Sequence, residues 1–218
     1  MSIARTVRAF LTVSTLALCA LAPATANATQ AEADAVRIST SGQRTLKWTW
    51  TPPGKSDRYG HAEVLINAPV ADVRKQVQNF GQYKDFAPKR FTLSKVVPGT
   101  GGGTNVKMEF SVLHGMLKLQ FVEKFAAPRP AGAGVEIIEG KFVSGNVKDA
   151  NVVWTLEQVT DTFTVLKADV LIKPDLPGDY AQGAIDEELR DAAQQACDGV
   201  HSRAQGHGRT AQWAPNKG

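Results

Sequence analysis

Apolar and polar positions alternate from Ala62 to Ile66, with Ala62, Val64 and Ile66 on one side and Glu63 and Leu65 on the other. That two-residue period predicts a strand. Asn67-Ala68-Pro69 breaks the ladder, because proline cannot donate to it and presets a helical φ. Val70, Val73 and Val77 then recur at helical spacing, with Asp72 in the first turn where the helix dipole favours an acid. A turn-rich aromatic segment follows, carrying Phe80, Tyr83, Phe86 and Pro88.

Strand periodicity returns downstream. FTLSKVV (91–97) reads as a strand, and the glycine-rich run 98–103 as a hairpin loop. A phosphate-binding loop would need a following Lys-Ser/Thr and a helix, but Thr104, Asn105 and another strand come next. Val106, Met108, Phe110 and Val112 alternate with Lys107, Glu109 and Ser111, which predicts one buried and one wet face. His114-Gly115 makes a turn into Leu117, Leu119, Phe121 and Phe125, whose inner face also carries Glu123. Further strands are expected over 135–143, around Val152, Trp154 and Leu156 after a turn at 144–149, and over 163–172 with Leu166, Ala168, Val170 and Ile172 apolar. Short turns between successive strands argue for one antiparallel meander.

The segment 173–178 stops the sheet, and Asp179 with Gln182 makes a capping box for a final helix. Ile185, Leu189, Ala192, Ala196 and Val200 form its apolar stripe, with Asp186, Glu187, Glu188, Arg190 and Asp191 expected to face water. Gly206 ends the helix, and 207–218 is expected to be a disordered tail. Ahead of the meander, 29–60 is an N-terminal extension with one turn of helix and an alternating TLKWTW. Trp48 and Trp50 are expected to pack on the domain rather than line a ligand mouth.

Strand, proline, short helix, aromatic segment, meander and long last helix together resemble the START-like (SRPBCC) superfamily of polyketide cyclases, lipid-transfer proteins and coenzyme Q-binding proteins. The resemblance covers 61–206. It implies an α+β helix-grip fold, a curved antiparallel sheet wrapped around a long C-terminal helix, with room for an apolar ligand between them.

The first 28 residues have the order of an export signal: Arg5 and Arg8, an apolar stretch from Ala9 to Ala22, and Ala26-Asn27-Ala28 as a small-residue cleavage site. Cleavage is expected after Ala28, giving a periplasmic or secreted protein without a stable membrane anchor. Leu18 before Cys19 is too large for a lipobox. Removing the signal takes 25 bases against 21 acids to 23 against 21, a formal charge of +2. With the bases dispersed, nucleic acid is not an expected partner. Cys197 is then the single cysteine, and its surroundings in a helix read as a packed thiol.

His61, His114, His201 and His207 have no partners at metal-ligand spacing, so neither a metal nor another cofactor is expected. No nucleophile motif is present, and no catalytic residue is assigned. The residues expected to line a ligand cavity are Met108, Phe110, Leu119, Phe121, Glu123, Trp154, Leu166, Val170, Leu189 and Ala192. Glu123 interrupts an apolar face. Its plainer reading is a paired or solvated group at the cavity mouth; the sharper one is an acid or base with a raised pKa. Lys167 and Asp169 are expected to pair with each other. The favoured function is binding of a lipid, sterol-like or quinone-like molecule, and the alternative is a polyketide cyclase or dehydrase.

Overall fold

The computed structural model describes residues 29–112, 115–175, 182–205 and 213–214. The signal segment 1–28, His114, Asp179 with its capping box, Gly206, and the tail apart from Trp213 and Ala214 lie outside the described residues.

The chain runs α1 (Gln30–Thr40), β1 (Thr45–Trp50), β2 (Tyr59–Ile66), α2 (Val70–Val77), a 3-10 turn (Phe80–Gln82), α3 (Tyr83–Phe86), β3 (Phe91–Val97), β4 (Thr104–Val112), β5 (Leu117–Phe125), β6 (Arg129–Pro130), β7 (Val135–Gly145), β8 (Val147–Gln158), β9 (Thr164–Pro174) and α4 (Gln182–Ala204). All strand pairs are antiparallel, in the order β1-β2-β9-β8-β7-β5-β4-β3, with the short β6 on β7. The chain thus has the α+β helix-grip architecture. A hairpin meander from β3 to β9 is completed when β2 joins β9, placing Val64 opposite Leu166.

The turn expected at 144–149 is shorter than the composition suggests. β7 runs to Gly145 and β8 starts at Val147. Gly145 sits at φ 153°, a conformation side chains rarely adopt, and a Cβ there would collide with Gln120 and Phe121. Gly145 thus marks the bend between the end of β7, which pairs there with β5, and the start of β8, which pairs with β9, while the β7–β8 ladder itself closes at Lys141 opposite Asn151.

α4 lies across the sheet with its small residues inward. Ala192, Ala193, Ala196, Cys197 and Val200 are buried, as is Leu189. The approach is close enough that a Cβ on Gly60 would strike the α4 backbone at Leu189, and one on Gly199 would strike Phe86. Thr45 Oγ1 donates to Asp198 Oδ1 at 2.6 Å, tying β1 to the same helix.

The acids of α4 do not all face water. Asp186 and Glu188 are buried. Arg58 Nη1 pairs with Asp186 at 2.9 Å, and Arg90 binds both Glu188 and Asp191. Lys47 Nζ also reaches Asp191, at 2.6 Å. Cations more than 90 positions away in sequence fasten the first half of the helix to β1 and to the segments before β2 and β3.

The extension 29–60 supplies α1 and β1. Thr29 and Glu32 close a capping box, and α1 extends over eleven residues rather than one turn. Its Ala35 and Ile38 pack with Val165, Leu46, Leu65 and Trp213 in a second apolar cluster. β2 is consequently buried along nearly its whole length, one face under α4 and the other under α1.

Candidate functional site

The main core contains a cavity between the sheet and α4. It is lined by Tyr83 from α3, Phe91 from β3, Met108 from β4, Phe121 and Glu123 from β5, Val152 and Trp154 from β8, Val170 and Ile172 from β9, and Ala192 and Ala196 from α4. The cavity volume is about 30 Å³. Ligand pockets for drug-sized molecules run to roughly 300–1,000 Å³. The space is thus narrow, and side chains or α4 must yield for a ligand of more than a few atoms.

Its shape follows from the alternation in the strands. Inward positions carry Met108, Phe121, Trp154 and Val170, while Ala192 and Ala196, one turn apart on α4, leave a gap opposite them. Phe80 stacks on Phe125 at 4.2 Å between ring centroids, and Tyr83 meets Phe125 and Trp154 at 6.0 and 6.1 Å. The aromatic segment after α2 therefore closes one end.

Of the ten residues expected at the cavity, Met108, Phe121, Glu123, Trp154, Val170 and Ala192 line it. Phe110, Leu119, Leu166 and Leu189 are buried in the surrounding core instead. Phe110 packs on Phe91 at 5.2 Å and pairs across the ladder with Leu119. Leu166 lies between Val64 and Leu156 in the adjoining ladders, and Leu189 covers Gly60. Tyr83, Phe91, Val152, Ile172 and Ala196 were missed. The two-residue period from Trp154 and Val170 points to Val152 and Ile172, and the four-residue step from Ala192 points to Ala196. Phe91 carries no comparable signal.

Three polar groups interrupt the apolar wall. Tyr83 donates its hydroxyl to Val77 O at 2.7 Å. Trp154 Nε1 is buried without a hydrogen-bond partner among the described residues; it lies near the Tyr83 oxygen, but the two do not meet at hydrogen-bonding geometry. Glu123 is only 3% exposed, which corrects its placement at the cavity mouth. Among the described residues no cation pairs with its carboxyl and no group hydrogen-bonds to it. Burial, and secondarily the charge of Asp149, push its pKa up to about 8. At neutral pH the carboxyl is largely protonated, and so able to donate as well as accept. The same burial pushes the Tyr83 hydroxyl well above its ordinary range.

The opposite face of β2 and β9 holds a different set of ionisable groups. His61 lies between two carboxylates, with Nδ1 2.6 Å from Asp169 Oδ1 and Nε2 3.0 Å from Glu63 Oε1. Trp48 covers the imidazole at 4.3 Å, and Trp50 Nε1 donates to Asp169 at 2.6 Å, so both tryptophans pack on this outer face. Arg37 from α1 binds Glu63 and Asp34. Lys167 Nζ reaches Asp34 at 2.7 Å and Glu157 at 2.6 Å. Lys167 and Asp169 thus do not pair with each other; each finds a partner on another element. Burial works against the charges of Asp34, Arg37, His61, Glu63 and Lys167, yet the hydrogen bonds outweigh it. The His61 pKa is raised through Asp169 and Glu63, and the Glu63 pKa is lowered through His61 and Arg37.

Cys197 is fully buried, with Sγ 3.8 Å from Ala62 O, and burial pushes its thiol well above the ordinary range. That suits a packing role rather than a nucleophile.

No family model matches the chain, and no curated protein does. Solved structures do. A STAR-related lipid transfer protein from Xanthomonas axonopodis superposes with a TM-score of 0.58 at 15% identity, over 75% of this chain and 95% of that one. The Zhui aromatase/cyclase from Streptomyces sp. R1128 gives 0.54 at 16%, over 67% and 93%. Human StAR-related lipid transfer protein 5 gives 0.54 at 9%, over 78% and 97%. Identities this low carry the fold and nothing finer. The nine antiparallel strands among the described residues, the cavity and the gripping α4 together give this chain the START-like fold.

Proposed function

We propose that the protein is an exported binder of an apolar small molecule, held between the sheet and α4. The observation that carries this reading is the cavity itself, walled almost wholly by apolar side chains and roofed by alanines. The lipid-transfer proteins of the same fold support it. Export rests on the charged, apolar and Ala-x-Ala order of residues 1–28, and α1 begins at Gln30, just beyond the expected cut. N-terminal sequencing of the mature protein should read from Thr29.

Native mass spectrometry of the exported protein, together with uptake of fluorescent lipids and quinones, tests the binding. Ala192→Val adds two methyl groups to the cavity roof. It should weaken uptake strongly while costing no more than the ~1–3 kcal/mol of a modest overpacking. Absence of any copurified molecule and of any probe binding would contradict the reading.

A second reading has its own support. A carboxyl with a pKa of about 8, without partners in an apolar cavity, is suited to general acid or base work, and an aromatase/cyclase shares the fold. A probe returned chemically altered, with conversion abolished by Glu123→Gln, would establish an enzyme.

A further inference from the structure

Among the described residues, two buried polar groups of the cavity wall lack partners. Buried donors and acceptors are nearly always satisfied in folded proteins, so an orphan calls for an explanation. Trp154 Nε1 offers an N–H and nothing else. The Glu123 carboxyl makes no hydrogen bond to any described group. Tyr83 spends its proton on Val77 O, which leaves only its oxygen lone pairs facing the others. The wall thus presents the indole donor, a carboxylic acid that both donates and accepts, and a phenolic acceptor.

We infer that, within the ligand-binding reading, this cavity selects an apolar molecule carrying one neutral oxygen group, a hydroxyl or a ketone, which takes the Trp154 N–H and pairs with the Glu123 carboxyl. An oxygen of that kind accepts from the indole and from the acid at once, and a hydroxyl can return its own proton to the acid. An anionic head is selected against. Among the described residues no lysine, arginine or histidine lines the cavity, so a carboxylate or phosphate would lie desolvated and uncompensated beside Glu123. A cationic head would require Glu123 to ionise, and a buried ion pair regains little of its desolvation cost unless its remaining hydrogen bonds are satisfied. The favoured occupant is therefore a neutral alcohol, sterol-like alcohol or ketone, and not a fatty acid.

A matched series separates these cases: naphthalene, 2-naphthol, 2-naphthoate and 2-naphthylmethylammonium, titrated calorimetrically into the mature protein at pH 7. The wild type should bind 2-naphthol about tenfold more tightly than naphthalene, the gain of roughly one well-made buried hydrogen bond, and the two ions more weakly than either. Trp154→Phe and Glu123→Leu should each leave naphthalene affinity nearly unchanged and erase most of the preference for the naphthol. Glu123→Gln keeps a neutral donor and acceptor and should retain much of it, which a purely structural role for Glu123 would not explain. Equal binding of naphthalene and 2-naphthol would overturn the selection of an oxygen group while leaving the apolar cavity standing. So would a preference that survives both apolar substitutions, or tightest binding of either ion. Binding of no member of the series would overturn the binding reading as well.

Discussion

The two faces of the sheet bury carboxyl groups in opposite ways. On the outer face, Asp34, Glu63 and Glu157 are each met by Lys167, Arg37 or His61, with α1 laid over them. On the inner face, Glu123 is buried as deeply, with no cation beside it among the described residues. The consequence is a pKa lowered for Asp34 and Glu63 and raised for Glu123. Burial is common to both; the partners decide the sign. A charge-paired network of this kind anchors structure, here the N-terminal segment against β2 and β9. An orphan in a cavity destabilises the fold and is retained where it serves a ligand or a reaction.

The sharpest way to break the contrast is to unpair the outer face. Lys167→Met leaves Asp34 without one partner and Glu157 without its cation, and breaking such a pair costs about 3–5 kcal/mol. Urea unfolding at pH 7 should show a loss of that size. A loss below 1 kcal/mol would mean that α1 does not seal this face.

The inner face should respond in the other direction. The folded pKa of Glu123, about 8, lies above its ordinary value of 4.5, so the native state holds a proton that the unfolded chain releases. Its contribution to stability is fully present below about pH 4.5 and is lost as pH rises towards 8. The slope is about 1.4 kcal/mol per pH unit, on the order of 3 kcal/mol between pH 5 and 7. Relative to wild type, Glu123→Gln should gain stability steadily over that range. A difference independent of pH would show that Glu123 is solvated after all.

Glu63→Gln supplies the smaller, opposite case. The Glu63 pKa is lowered in the folded state, so its contribution is present above the ordinary carboxylate range and disappears as pH falls through the folded value. Replacing it should cost roughly 1–3 kcal/mol at pH 7, the size of a hydrogen bond to a charged group, and progressively less on acidification. Unfolding curves from pH 3 to 7 measure the convergence.

The sequence shows which face a strand residue occupies more readily than its depth or its neighbours. Alternation places Glu123 inward with Phe121 and Phe125. Whether it reaches the rim or the middle depends on where α4 crosses, and that is set by contacts such as Gly60 against Leu189. The same gap separates Met108, which reaches the cavity, from Phe110, two residues on and on the same face, which does not. The meander, the last helix and its alanine stripe are visible because each is a local period. The outer network is not, since Arg37, Glu63 and Lys167 come from three distant segments and meet only after β2 has joined β9. For the same reason Asp186 and Glu188 read as solvent-facing on a helical wheel, although Arg58 and Arg90 bury them.

The proposed binding turns on Glu123, neutral and unpartnered in the cavity among the described residues. The direct measurement is the carbon-13 titration of its side-chain carboxyl by NMR, assigned with Glu123→Gln, in the free protein and in protein saturated with 2-naphthol. The free protein should titrate near pH 8, and the bound form higher still, because a ligand oxygen that accepts the carboxyl proton holds the group neutral. A midpoint in the ordinary range around 4.5, or one that the ligand does not move, would contradict the account.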